Sequence, residues 1–282
     1  MGKNCLITGA TDGIGLEAAK AMAEKGYDIY LHGRNAEKGR RAVEQVQAVG
    51  GGNKVEFVQA DFASLDDVQR LAEDLNARLD KLDVLINNAG RASASSIEYS
   101  RDGYEMTFAV NHLAHFLLTN RLLEKLKQAP GARIVNVSSI GHKFAPFDID
   151  DLMSENTRPS NAYFRAKFAN ILFSNEFARR LEGTGVTSNA LHPGTIRSNF
   201  GKESLATRIF YTVAKPFLKS PEKGARNLVY LATSAEVEGE TGGYYANCKP
   251  ATPAPETNDP VLAGQLWEKS EALVRKAGYS LT

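Results

Sequence analysis

The 282 residues carry 34 Lys and Arg against 33 Asp and Glu, a formal charge of +1, which gives no electrostatic case for nucleic acid or an anionic membrane as partner. Hydrophobic residues make up 43% and charged ones 24%, the balance of a soluble globular chain long enough to bury a full core. Two cysteines, Cys5 and Cys248, form no CxxC and have no histidine at ligand spacing, which argues against a disulfide framework or a metal site and suits a reducing cytosol.

In chain order, the first strand is expected over 4–8, almost at Met1, leaving no room for a signal peptide or N-terminal anchor. No apolar run approaches the ~18–20 residues of a membrane span, so the expectation is a cytoplasmic chain. Further strands are expected over 28–33, 54–59, 84–87, 133–138 and 187–191, and helices over 13–25, 36–48, 65–79, 102–126, 162–181 and 221–233. Strand followed by helix, six times over, predicts an α/β fold: one Rossmann-type, doubly wound parallel sheet with helices on both faces. Strands such as "RIVNVS" suit a sheet covered on both sides. No composition break divides the chain, so residues 1–282 read as a single domain. Segments 141–160 and 194–220 fall outside the pattern, the second a candidate substrate loop containing "RIFYTVAKPFL". Residues 248–282 form an extension, proline-rich at first and ending in a helix near 261–276.

"LITGATDGIG" (6–15) joins the first strand to the first helix. Helix N-terminal N–H groups there offer positive partial charge to a pyrophosphate, and Gly9, Gly13 and Gly15 allow a sharp turn and close approach. At the end of the second strand an acid would bind the ribose of NAD. This chain has Arg34 instead, which suits a 2′-phosphate and favours NADP(H) over NAD(H). Within "NAYFRAKFANILFSNEFARRLEG" (161–183), Arg165, Glu176, Arg179 and Arg180 gather on one side of a helical wheel, with Lys167 nearly opposite. Tyr163 lies one turn before Lys167 on that inward face. An ammonium beside a phenol favours the phenolate and lowers its pKa from ~10, which suits proton exchange with an alcohol or carbonyl oxygen.

Six motifs in order, "TGATDGIG", "NNAG", "VNHLAHF", "VNVSS", "YFRAK" and "HPG", resemble those of the short-chain dehydrogenase/reductase family. "FDIDDLMSEN", "ALHPG", "EGETGGYYANCKPATPAPE" and "LWEKSEALV" further resemble its retinol dehydrogenase-like branch. The resemblance implies roles. Tyr163 would be the acid/base. Lys167 would bind the nicotinamide ribose and tune Tyr163, Ser139 (rather than Ser138) would hold the substrate oxygen, and Asn111 would hold a water linked to Lys167. Thr11, Asp12 and Ile14 would join the three glycines at the cofactor. Asp61 and Phe62 would sit at the adenine, Asn88, Ala89 and Gly90 along the adenosine side, and Pro193, Gly194 and Ile196 by the nicotinamide. The implied activity is interconversion of a hydrophobic aldehyde or ketone with its alcohol, in a homo-oligomer (dimer or tetramer) built on the Tyr-bearing helix. The competing classes are a non-catalytic dinucleotide-sensing protein on the same fold and an epimerase or dehydratase of the extended branch.

The remaining features read as packing or solvent-facing. His112 and His115 stand three apart on a helix with no third metal ligand, and Asp150 and Asp151 read as loop or cap residues. Phe144, Phe147, Phe210 and Phe217 are expected to wall an apolar substrate pocket, and the apolar stretch 209–218 has a membrane-touching role as its lesser alternative.

Overall fold

The computed structural model describes residues 2–196 and 219–281. The strands are β1 (Lys3–Ile7), β2 (Tyr27–Gly33), β3 (Val55–Gln59), β4 (Val84–Asn87), β5 (Arg133–Val137), β6 (Thr187–His192), β7 (Tyr244–Ala246) and β8 (Lys249–Pro250). They build one eight-stranded sheet, ordered β3-β2-β1-β4-β5-β6-β7-β8. Neighbours from β3 to β7 pair in parallel, and β8 runs antiparallel on β7. The winding reverses at β1, which lies between β2 and β4; such a switch point opens a crevice at the carboxyl ends of the strands.

The helices are α1 (Gly13–Glu24), α2 (Ala36–Gln47), α3 (Leu65–Arg78), α4 (Met106–Phe108), a π segment (Ala109–Leu113), α5 (Ala114–Arg121), α6 (Leu123–Lys127), α7 (Asn161–Arg180), α8 (Pro221–Thr233) and α9 (Pro260–Lys276). Successive strand residues point to opposite faces, so the sheet divides two cores. Leu6, Leu85 and Ile134 pack with α3, α5, α7 and α9. Cys5, Ile7, Ile29 and Val135 pack with α1, α2 and α8. Both cysteines are free.

The predicted doubly wound sheet is present, with four departures. β7 and β8 were not expected: three and two residues are too short to show a period. The helix expected over 102–126 begins only at Met106, because Glu105 caps it by accepting from the N–H groups of Thr107 (2.9 Å) and Phe108 (2.7 Å), and it is interrupted by the π segment. Arg165 and Glu176, expected on the solvent side of α7, are buried at 8% and 4% exposure. Arg165 Nη1 pairs with Asp151 Oδ2 at 2.8 Å, and Glu176 takes Arg180 at 2.7 Å as well as Arg179. Phe147 is half-buried and stacks on Phe168 of the core (4.8 Å, 12° between planes). The stretch 209–218, with Phe210 and Phe217, lies outside the described residues. No helix among the described residues is long and apolar enough to cross a membrane.

Fourteen of the twenty residues of α7 are buried. α9 of the same chain packs on α7: its Trp267 lies 5.2 Å from Phe177 and carries the Arg180 guanidinium 4.2 Å over its ring.

Asp151 organises the segment before α7. Burial pushes its carboxyl pKa up, but the bonds from Arg165 and the N–H groups of Glu155 and Asn156 outweigh this and hold it below its ordinary value. The pair therefore contributes stability above the unfolded carboxylate pKa and loses it as pH falls through the lower, folded value. Arg165→Met leaves that carboxylate buried without its cation, a loss of about 3 kcal/mol. The expected reading is a melting temperature lowered by roughly 10 °C at pH 7, with the difference from the parent shrinking below pH 4. An unchanged melting temperature would show that the pair is not structural.

Candidate active site

Six predicted site segments leave the carboxyl ends of parallel strands, the Gly-rich turn after β1, Arg34 after β2, Asp61 after β3, Asn88–Gly90 after β4, Ser139 after β5 and Pro193–Ile196 after β6, while Asn111 lies in the π segment and Tyr163 and Lys167 on α7. The turn is held by its neighbours. Thr8 Oγ1 accepts the N–H groups of Asn88 (2.8 Å) and Ala89 (2.9 Å), while Asn88 Nδ2 donates to the carbonyls of Thr8 (2.8 Å) and Gly9 (3.1 Å). Gly9 has φ +64°, and a Cβ there would lie 2.8 Å from Ala89 Cα. Asp12 caps α1. Open space surrounds the Cβ position of Gly13 (φ +59°) at that helix start. The N-terminus of α1 thus faces free volume, as an anion cradle requires.

On the other side of the crevice, Lys167 is 3% exposed and its Nζ donates to the Val137 carbonyl at 2.8 Å. Burial lowers its pKa to about 8. The ammonium lies 5.9 Å from the centroid of the half-buried Tyr163 ring. Asn111, in the π segment, holds Arg91 from both sides: Oδ1 accepts its N–H (2.7 Å) and Nδ2 donates to its carbonyl (3.0 Å). The Cβ position of Gly90 is 3.2 Å from Asn111 Oδ1 and 3.6 Å from Lys167 Nζ, so these two groups converge where β4 ends. The adjacent serines differ in use. Ser138 Oγ is buried and donates to the Lys167 carbonyl (2.6 Å), whereas half-buried Ser139 accepts from Gly141 N–H (3.1 Å) and keeps its own proton to give.

Two histidines fix the Ser139 turn. His192 Nδ1 accepts Ile140 N–H at 3.2 Å, and burial holds its pKa down to about 4, so that nitrogen stays bare. His142 Nε2 accepts Ala254 N–H (3.0 Å), which leaves Nδ1–H to donate to the Ser139 carbonyl (2.5 Å). Burial lowers this pKa too. Beyond the turn, Ile140 and Phe144 are exposed at 38% and 66%, and ring contacts run from Phe144 to Phe164 (5.7 Å) and on to Tyr163 (5.8 Å).

The family model described as short chain dehydrogenase matches residues 3–209. The chain belongs to the short-chain dehydrogenase family. Within that family it is 39% identical over 272 residues to mouse retinol dehydrogenase 11, covering 95% of this chain and 85% of the relative. It is 40% identical over 291 residues to human retinol dehydrogenase 14, covering 97% and 86%. Among solved structures it superposes on the Pseudomonas aeruginosa RhlG/NADP active-site complex with TM-score 0.70 and 25% identity, over 86% of this chain and 93% of that one.

In this short-chain dehydrogenase the remaining expected cofactor residues have protein partners of their own. Phe62, expected beside an adenine, is 4% exposed and stacks on His32 at 4.1 Å beneath the turn. Asp61 caps its own loop through Ala63 N–H (3.1 Å) and faces Arg101 at 3.8 Å. Ile14 and Ile196 meet beside Gly224 of α8, within 2.7 Å of its Cβ position. Pro193 and His192 carbonyls are within reach of Asn227 Nδ2, at 3.4 and 3.5 Å. The Arg91 charge is taken by Glu98 at 2.6 Å. His112 bonds Ser270 and His115 bonds Thr8, so the two rings serve different partners rather than a shared ion. Sequence reasoning missed Thr8, Ser93, His142 and His192 as supports. Ser93 Oγ accepts Tyr163 N–H at 2.8 Å, tying the loop after β4 to the start of α7. Thr8 and His192 were inside quoted motifs. Ser93 and His142 carried no local signal.

Proposed function

We propose that this short-chain dehydrogenase interconverts a hydrophobic aldehyde or ketone and its alcohol, using NADP(H) in preference to NAD(H), with Tyr163 as the acid/base. The observation that carries the reading is the convergence of Lys167 Nζ and Asn111 at Gly90, with Tyr163 one turn away and the Ser139 hydroxyl on the facing turn. A nicotinamide dinucleotide fits the residues present: the open volume at Gly13 faces the N-terminus of α1, and Gly90 leaves room beside the ammonium. When bound, the nicotinamide supplies or accepts the hydride. The N–H groups of α1 would hold the pyrophosphate, and Lys167 a ribose hydroxyl. The Lys167 ammonium also places its positive charge beside the Tyr163 ring, 5.9 Å from the centroid. Ser139 and Tyr163 donate to the carbonyl oxygen as it gains negative charge, and Tyr163 delivers the proton. A non-catalytic dinucleotide sensor has no use for this whole set. Ile140, Phe144 and Phe164 offer an apolar approach to Tyr163, which favours a bulky apolar substrate. We place the chain in the cytoplasm, on its two free thiols. Because α9 already packs on α7, we propose that any homo-oligomer uses another face.

Arg34 supports NADP(H). It is exposed and makes no ion pair among the described residues, while Arg40 and Arg41 nearby are paired with Glu37. The test is oxidation of NADPH against NADH with a panel of aldehydes, ketones and quinones. Arg34→Ala should lower kcat/KM for NADPH about 10- to 100-fold and leave NADH nearly unchanged. Equal use of both cofactors by the parent would refute the preference, and no oxidation of either with any carbonyl would refute the enzymatic reading.

A further inference from the structure

A closed chain of hydrogen bonds joins the Gly-rich turn to Asn111 through a residue that the motifs leave without a role. Thr8 Oγ1 and His115 Nε2 are 2.9 Å apart, and His115 Nδ1 is 3.0 Å from the Asn111 carbonyl. Thr8, Asn111 and His115 are buried at 0%, 0% and 2% exposure. The directions of these bonds follow by elimination. A carbonyl only accepts, so Nδ1 carries the proton. Thr8 Oγ1 already accepts the N–H groups of Asn88 and Ala89, so its one proton is free to go to His115 Nε2, and the 2.9 Å contact there is shorter than the 3.3 Å to the Ile86 carbonyl. The ring is neutral, because burial brings its pKa down to about 3. The titratable groups about it are His32 on β2, His112 in the π segment and Lys167 on α7, with the edge of Phe62 against the ring at 5.3 Å.

We propose that His115 is a positioning residue, which couples the cofactor turn to the Asn111–Lys167 pair by holding the Asn111 carbonyl in the π segment. In that segment the backbone bonds slip to i−5, with Ala114 N–H on the Ala109 carbonyl. The ring N–H of His115 reaches back one turn to the middle of this irregular stretch. Asn111 in turn clamps Arg91 and faces the Gly90 position it shares with Lys167 Nζ. One imidazole therefore braces the Asn88–Arg91 segment after β4 from two sides, through Thr8 and through Asn111. The inference rests on the dehydrogenase reading for its kinetic consequence, and on the hydrogen-bond geometry alone for the coupling.

Two isosteres split the two bonds. Asn places an amide N–H where Nδ1 stands and reaches Asn111 but not Thr8; Gln places an acceptor where Nε2 stands and reaches Thr8 but leaves the Asn111 carbonyl unserved. His115→Gln should lower kcat about tenfold and displace the pH profile of kcat, with NADPH affinity closer to the parent's. His115→Asn should weaken NADPH binding about tenfold, measured by fluorescence without substrate, with the smaller effect on kcat. Independently of activity, ¹⁵N spectra of the histidine-labelled protein should contain an Nδ1–H imidazole that does not titrate between pH 5 and 8 and is absent in His115→Gln. A His115 ring found as the Nε2–H form or titrating in that range, or Asn and Gln variants that lose kcat and NADPH affinity in equal proportion, would overturn the proposal. If the parent turns over no carbonyl, the dehydrogenase reading fails, while the tautomer and the binding split still decide the coupling.

Discussion

Tyr163→Phe should lose about 10³-fold or more in kcat while binding NADPH within about twofold of the parent. The variant removes one hydroxyl and little else. The backbone N–H of residue 163 keeps its bond to Ser93 Oγ, the ring keeps its edge contact with Phe164 at 5.8 Å, and the ammonium of Lys167 keeps a ring 5.9 Å away. What disappears is the proton that the substrate oxygen would take. Stopped turnover with intact binding separates a missing acid from a damaged pocket, and kcat with a fluorescence Kd measures both. A variant that turns over at the parent's rate would mean that the acid lies elsewhere, with Ser139 the first place to look.

Gly15→Ala should abolish tight dinucleotide binding, a fall of about 100-fold or more, from a single methyl group. Its Cβ would stand 2.5 Å from the Gly9 carbonyl oxygen and 2.6 Å from Asn88 Nδ2, and neither can retreat cheaply. The first is turn backbone, and the second holds that turn through the Thr8 and Gly9 carbonyls. Overpacking of this kind costs about 1–3 kcal/mol, and here the strain falls on the α1 N-terminus that the pyrophosphate would occupy. Gly264→Ala is the control. It lies inside α9 with nothing within 4 Å of its Cβ position, so it should raise the melting temperature slightly, by about 1–3 °C. Calorimetric titration with NADPH reads the first variant; undiminished affinity would remove the turn from the binding site.

The parts of the fold legible in the sequence were those with a local signal. Four- to seven-residue segments after turn residues marked β1 to β6, and the glycine spacing marked the turn between β1 and α1. Lys167 on an apolar helix face was legible because a buried ammonium needs a partner, and the Val137 carbonyl supplies one. What the sequence hid depended on contacts remote along the chain. Arg165 and Glu176 look solvent-facing on a wheel, which cannot know that residues 146–156 and the C-terminal segment cover that side. The π segment has the same apolar pattern as an α-helix, since only the bond register changes. Ala254 and His142 are 112 residues apart, so no window over the sequence pairs them. Phe144 and Phe147 have the same composition and neighbouring positions, yet one is exposed by the Ser139 turn and the other stacks on Phe168.

The bond between Ala254 and His142 has a consequence for the order in which the molecule is made. Synthesis runs from the N-terminus, and domains begin to fold as they emerge. The bond between the turn after β1 and the loop after β4 needs nothing beyond residue 89. The turn that carries Ser139 gains its second support only after residue 254, and His112 gains its hydroxyl partner only after Ser270. The Ser139 turn therefore cannot be fully braced until nearly the whole chain has been made.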